Sequence, residues 1–154
     1  MLRTHEGGCL CGAIRFRTDG APFKTTVCHC TLCQRTTGSA FSIELLFPKK
    51  ALTFQGAAPS EYTYRSPDHG RLLNYFFCPT CGTRLGLTLE RFPAIQIIYA
   101  GTYDDPTWVK PDSHIFMQSA APWIAPPSDA DCFSAHMLSE DGAPIQPMPR
   151  LPTL

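Results

Sequence analysis

The sequence predicts a mainly β protein, and three observations carry that expectation. Pro and Gly together supply 26 of 154 residues, and only 17% of the chain is charged, so long charged helices are disfavoured. Apolar runs are short, alternate with period two and are separated by Gly, Pro, Ser and Asp. No helix of three turns is evident.

The first predicted strand covers Cys9 to Phe16, where Leu10, Ile14 and Phe16 share a core-facing side and Cys9, Cys11 and Arg15 the other. Val27 to Cys30 repeats the pattern, with Cys28 and Cys30 on one face and Val27 and His29 opposite. Leu32 to Thr37 reads as a short turn or helix ended by Gly38, because glycine accepts the left-handed conformation that stops a helix. Phe41 to Phe47 is a third strand. Leu52 to Phe54, Glu61 to Arg65, Arg71 to Phe77, Thr83 to Leu89 and Ile95 to Ala100 follow as strands between turn residues. After Gly101 the pattern loosens. The length fits one domain, placed at residues 1–136, and four prolines in the last eleven residues predict a Pro-rich arm over 137–154 without a core of its own.

Thirteen Lys plus Arg balance thirteen Asp plus Glu, which argues against an electrostatic grip on nucleic acid or an anionic membrane. The longest apolar stretches, interrupted by Asn74 or Gln96, fall far short of the ~20 residues of a spanning helix. The polar start, with Arg3, His5 and Glu6, leaves no signal-peptide core before the first cysteines. The expected location is therefore the cytoplasm, where clustered cysteines serve as metal ligands or catalytic thiols more often than as disulfides.

Seven of eight cysteines fall into tight motifs: C-x-C at 9 and 11, C-x-C-x-x-C at 28, 30 and 33, and C-x-x-C at 78 and 81. Cys78-Pro-Thr-Cys81-Gly82 between two strands has the form of a zinc knuckle, whose tight turn aims both sulfurs at one ion. A closed tetrahedral site needs four ligands, and Cys9 with Cys11 is the natural complement. Cys28, Cys30 and Cys33 then remain as three ligands of an open site, where zinc keeps a position for substrate. Three thiolates around Zn²⁺ leave a formal charge of minus one, so this centre suits a soft incoming ligand such as a thiol. His29 or Cys132 could instead fill the fourth position and close the site, although His29 faces away and Cys132 reads as a small buried hydrophobe. Arg15, Arg17, Lys24 and Arg35 lie in a locally basic first third, either as plain solvated surface or to offset thiolate charge or receive an anionic ligand.

With these motifs in hand the sequence resembles the family of glutathione-dependent formaldehyde-activating enzymes, which includes centromere protein V. The likeness rests on Gly8 to Phe16, Cys28 to Arg35 with Gly38 to Phe41, Phe77 to Thr83, Gly101 to Pro106, His114 to Phe116 and Trp123. It implies several coiled antiparallel β-sheets around zinc, similar to the methionine-R-sulfoxide reductases. It also implies a structural zinc on Cys9, Cys11, Cys78 and Cys81, and a catalytic zinc on Cys28, Cys30 and Cys33. The implied chemistry is carbon–sulfur lysis of an adduct such as S-hydroxymethylglutathione. Two readings stand at this point. One is a zinc-dependent lyase acting on a small thiol or thiol adduct, with Arg35 or nearby backbone amides orienting anionic groups of the substrate. The other is a non-catalytic module that keeps both zincs for structure and binds a protein partner.

Overall fold

A computed structural model describes residues 3–149, and the chain is mainly β, with one short helix among the described residues. In chain order the elements are β1 (Thr4–Gly8), β2 (Ile14–Asp19), β3 (Lys24–Cys28), α1 (Thr31–Thr37), β4 (Ser42–Pro48), β5 (Leu52–Gly56), β6 (Ser60–Arg65), β7 (Leu72–Phe77), β8 (Arg84–Leu89), β9 (Ile95–Tyr99), β10 (Ser113–Ile115) and β11 (Asp131–Cys132). They fall into two compact units, one from residues up to 24 with 44–109, the other from 25–43 with the residues after 109.

In the first unit, β1, β2 and β5 form an antiparallel sheet, and β4, β9, β8, β7 and β6 pair antiparallel in that order. Alternation along β2 works as the period demands. Ile14 and Phe16 are 0% and 2% exposed, while the Arg15 side chain reaches solvent. Burying each of those two apolar side chains contributes about 1.5–3 kcal/mol. Phe16 packs edge-on against Tyr103, with ring centroids 5.1 Å apart. Arg15 binds both carboxylate oxygens of Asp104, through Nη1 at 2.9 Å and through Nη2, and Arg17 pairs with Asp19 at 3.3 Å.

One expectation fails here. Leu10 is 88% exposed, because Cys9 to Ala13 is not strand but the hairpin turn between β1 and β2. The Gly12 N–H donates to the Cys9 carbonyl, and the Cys9 N–H to the Ile14 carbonyl, both at 3.0 Å. Gly12 sits at φ 74°, a conformation that removes Leu10 from the alternation and lifts it to the tip. Leu10→Ser should accordingly change stability by less than about 0.5 kcal/mol in a denaturant titration. β1 itself was not legible, since Gly7 and Gly8 carry no strand signal; it forms by pairing Thr4–Gly8 against Asp19–Arg15 of β2.

In the second unit β10 lies between β3 and β11 and is parallel to both. Three and two residues are too short to show periodicity, so β10 and β11 are invisible to pattern reading. Thr26 Oγ1 and Ser113 Oγ lie 2.9 Å apart in the interior, each satisfying the other. The helix α1 is two turns long. It is capped by Cys30 at its start and by Gly38, left-handed at φ 65°, at its end. A buried cluster of Cys28, Cys33, Ile115 and Phe133 forms the local core, with Cys30, Phe116 and Met137 half-buried against it. Beyond Met137 the chain folds back, with the Ile145 N–H on the Met137 carbonyl (2.9 Å) and the Met148 N–H on the Cys132 carbonyl (2.7 Å). Residues 150–154 of the predicted arm lie outside the described residues. No helix among the described residues is long and apolar enough to cross a membrane.

Candidate metal centres

Two hairpin turns of the first unit bring four thiols together. The β1–β2 turn carries Cys9 and Cys11, and the β7–β8 turn carries Cys78 and Cys81. The second turn repeats the first. The Gly82 N–H donates to the Cys78 carbonyl at 2.9 Å, the Cys78 N–H to the Thr83 carbonyl at 2.9 Å, and Gly82 adopts φ 75°. A tight turn with glycine after its second cysteine aims both sulfurs to the same side, which is why these residue types recur at this spacing. The pairing register of β7 on β8 slips between Phe76 and Phe77, immediately before that turn.

All four sulfurs lie within 4.8 Å of one another, with Cys9 to Cys11 at 3.5 Å and Cys11 to Cys78 at 3.8 Å. Backbone and hydroxyl donors point at them: the Ile14 N–H reaches Cys9 Sγ at 3.2 Å, and Thr83 Oγ1 lies 3.2 Å from Cys81 Sγ. Thr83 Oγ1 also accepts from the Leu10 N–H at 3.0 Å, so one hydroxyl ties the two turns together. Thr83 closes the Phe77 to Thr83 motif, but spacing alone assigns it no role. The Thr83 hydroxyl and N–H, with the Cys11 N–H, bring Cys81 down to about 5. Burial opposes ionisation of Cys9, yet the Ile14 N–H and the thiols of Cys11 and Cys78 hold it below the ordinary thiol value. At Cys11 the Ala13 N–H favours the thiolate, but the sulfurs of Cys9, Cys81 and Cys78 push it up to about 12. Four sulfurs this close repel as anions, and a divalent cation between them removes that repulsion.

The second unit holds three. Cys28 ends β3, Cys30 caps α1 and Cys33 lies in its first turn, with the three sulfurs again within 4.8 Å. The Cys33 thiol donates to Cys28 Sγ at 3.3 Å, and the Cys33 N–H donates to Cys30 Sγ at 3.1 Å. The neighbouring Cys28 and Cys33 thiols, with the Cys33 and Leu32 N–H groups, hold Cys30 well below the ordinary thiol value in spite of its burial. An ion ringed tetrahedrally by sulfurs at ~2.3 Å sets sulfur–sulfur distances of about 3.8 Å, so both donor sets fit zinc.

His29 does not join the trio. Its Nε2 faces His114 Nδ1 at 3.0 Å, the rings stack with centroids 5.3 Å apart, and its Nδ1 is buried without a partner. Burial pushes both imidazoles below the ordinary histidine value, with His114 adding to the effect on His29, so one neutral ring donates to the other. His114→Leu should cost about 1–3 kcal/mol in a thermal melt, because it leaves His29 Nε2 buried and unpaired. Arg35 is exposed on α1, and Cys132 is half-buried in β11, outside both thiol groups. Sequence reasoning gave Gln34, inside the Cys28 to Arg35 motif, no role of its own. Its Nε2 donates to the His29 carbonyl (2.7 Å) and the Ser119 carbonyl (2.8 Å), clamping the thiol-bearing loop to residues 117–119.

A mainly β chain with one four-thiol and one three-thiol cluster, each able to hold a metal ion, defines a cysteine-rich metal-site class. The chain belongs to the glutathione-dependent formaldehyde-activating enzyme family, whose sequence profile matches residues 4–119. It is 27% identical over 124 residues to a Halomonas elongata protein provisionally named as a glutathione-dependent formaldehyde-activating enzyme, covering 77% of this chain and 78% of that one. Its fold is similar to the crystal structure of a Rhodobacter sphaeroides protein solved as a structural genomics target. That match has a TM-score of 0.51 and 19% identity, and covers 69% of this chain and 91% of that one.

Proposed function

We propose that this protein is a zinc-dependent carbon–sulfur lyase acting on a small thiol adduct such as S-hydroxymethylglutathione. The carrying observation is the difference in ligand number between the two clusters: four thiols converge in one and three in the other. Cys9, Cys11, Cys78 and Cys81 would hold a structural zinc, and Cys28, Cys30 and Cys33 a catalytic one. Family membership supports glutathione as the thiol and formaldehyde as the carbonyl compound. A reducing cytoplasm suits seven clustered thiols that must stay free for metal.

When bound at the trio, zinc would supply a soft Lewis acid with one position left for a substrate sulfur. In the cleavage direction the carbon–sulfur bond breaks and its electron pair remains on sulfur. The adduct hydroxyl gives its proton to solvent as the carbon–oxygen bond becomes the carbonyl of formaldehyde, and condensation is the reverse. Cys30, whose neighbours favour its thiolate, would be the readiest of the three to give up its proton to a metal. Arg35, exposed on α1 two residues beyond Cys33, would orient the carboxylates of the thiol tripeptide.

The test combines turnover with stoichiometry. Purified protein given S-hydroxymethylglutathione should release formaldehyde, and dialysis against a mild chelator should remove one zinc and that activity while the other zinc stays. Two retained zincs with no formaldehyde release would replace this reading by the non-catalytic module.

A further inference from the structure

Of the three clustered thiols, two stand on regular structure and one falls between. Cys28 ends β3, where it pairs with Ile115 of β10, and Cys33 lies in the first turn of α1, whereas Cys30 belongs to neither strand nor helix. Its carbonyl accepts the first helical hydrogen bond, from the Gln34 N–H at 3.0 Å. The peptide group on its other side is held by the side chain of the same residue, Gln34 Nε2 donating to the His29 carbonyl at 2.7 Å. Gln34 therefore grips both peptide groups that flank the Cys30 Cα. Those two planes set the Cys30 dihedrals, φ −61° and ψ 149°, and with them the direction in which its side chain leaves the backbone. The remaining torsion is restrained by the Cys33 N–H, 3.1 Å from Cys30 Sγ.

An amide offers two N–H donors, and Gln34 directs the second to the Ser119 carbonyl at 2.8 Å. Ser119 belongs to a turn that is fixed independently of α1. The N–H groups of Phe116, Met117 and Gln118 donate to the carbonyls of Ala135 (2.9 Å), Phe133 (3.1 Å) and Ser134 (3.2 Å), and the Ser119 N–H closes on the Phe116 carbonyl at 3.0 Å. Phe116 is the one non-glycine position with positive φ among the described residues, at φ 58°, and a bulky residue keeps that conformation only where its surroundings over-determine it. The second arm of the amide is thus tied to a rigid base. Holding α1 alone would not require it, since the helix is already capped by Cys30 and by Gly38.

We propose that Gln34 is a positioning residue of the three-thiol centre: by bracing the peptide groups around Cys30 against the 116–119 turn, it keeps the Cys30 sulfur where one ion can be shared with Cys28 and Cys33. The proposal rests on the reading of that cluster as a metal centre and names the side chain that pre-shapes it. A group that orients a ligand without touching the ion is worth about 10–100-fold in metal affinity.

Gln34→Met keeps the length of the side chain and removes both donors, and Gln34→Asn keeps the amide but is one methylene too short to span both carbonyls. The parent and each variant are loaded with cobalt and titrated with a competing chelator, reading the thiolate-to-cobalt absorption band. The parent should hold two ions per chain. Both variants should bind the weaker ion about 10–100-fold less tightly and show a weaker thiolate-to-cobalt band, while the tightly held ion of the four-thiol cluster is unchanged. A residue that served only to stabilise α1 would lower the melting temperature without moving the spectrum or the affinity. Unchanged affinity and spectrum in Gln34→Met, or in Gln34→Asn should the first variant not fold, overturn the proposal. So does equal weakening of both ions, or failure of both variants to fold, either of which would make Gln34 a general structural residue. A parent that takes up a single ion removes the metal reading of the trio and this proposal with it, whereas a two-ion parent with indifferent variants removes this proposal alone.

Discussion

Cys81→Ser is expected to lose one tightly held metal ion and to lower the melting temperature by on the order of 10 °C or more. The four-thiol cluster joins the β1–β2 turn to the β7–β8 turn, and its sulfurs come from positions 67 residues apart, as between Cys11 and Cys78. An ion held by both turns closes that loop only in the folded state, so its binding free energy adds to folding. Serine keeps the size of the side chain but offers zinc a protonated hydroxyl instead of a thiolate. The loss therefore reports on metal rather than packing. Metal analysis and a calorimetric melt of the same preparation check it. A variant that melts with the parent while holding one zinc fewer would show that these four residues are not a structural site.

Cys30→Ser should do the opposite, abolishing adduct cleavage by more than ~100-fold while leaving the melt almost unmoved. Outer-sphere partners of a metal are already worth ~10–100-fold, and a direct ligand exceeds that. The thiols of this cluster span only five residues, from Cys28 to Cys33, so an ion there contributes little loop closure. Serine is the right replacement because Cys30 is also the N-cap of α1, accepting the Cys33 N–H at 3.1 Å. Serine caps as well, whereas Cys30→Ala should lose about 1 kcal/mol through the cap alone. A Cys30→Ser protein with full turnover would remove this cluster from the mechanism. One that unfolds would make the cluster structural.

The sequence by itself determined the mainly β class, the strands with clear alternation from β4 to β9, the short helix ended by Gly38, and the grouping of seven cysteines as four and three. Those features are local, or follow from ligand counting: period two, glycine at a helix end, and the four donors of a tetrahedral ion are all visible in spacing. Tertiary structure alone decided the rest. Cys9 to Gly12 alternates like strand, but the β1–β2 pairing turns it into a hairpin tip and exposes Leu10. His29 and His114 are 85 residues apart, and only the parallel pairing of β3 with β10 brings His29 Nε2 to within 3.0 Å of His114 Nδ1. Gln34 and Phe116 fall inside the motifs, yet their roles are not in the spacing: the Gln34 bond to the Ser119 carbonyl, 85 residues away, and the left-handed backbone of Phe116 are imposed by contacts from elsewhere in the chain. Spacing encodes how many ligands a short segment supplies; what surrounds those ligands depends on which remote segments pack there, and that is a property of the fold.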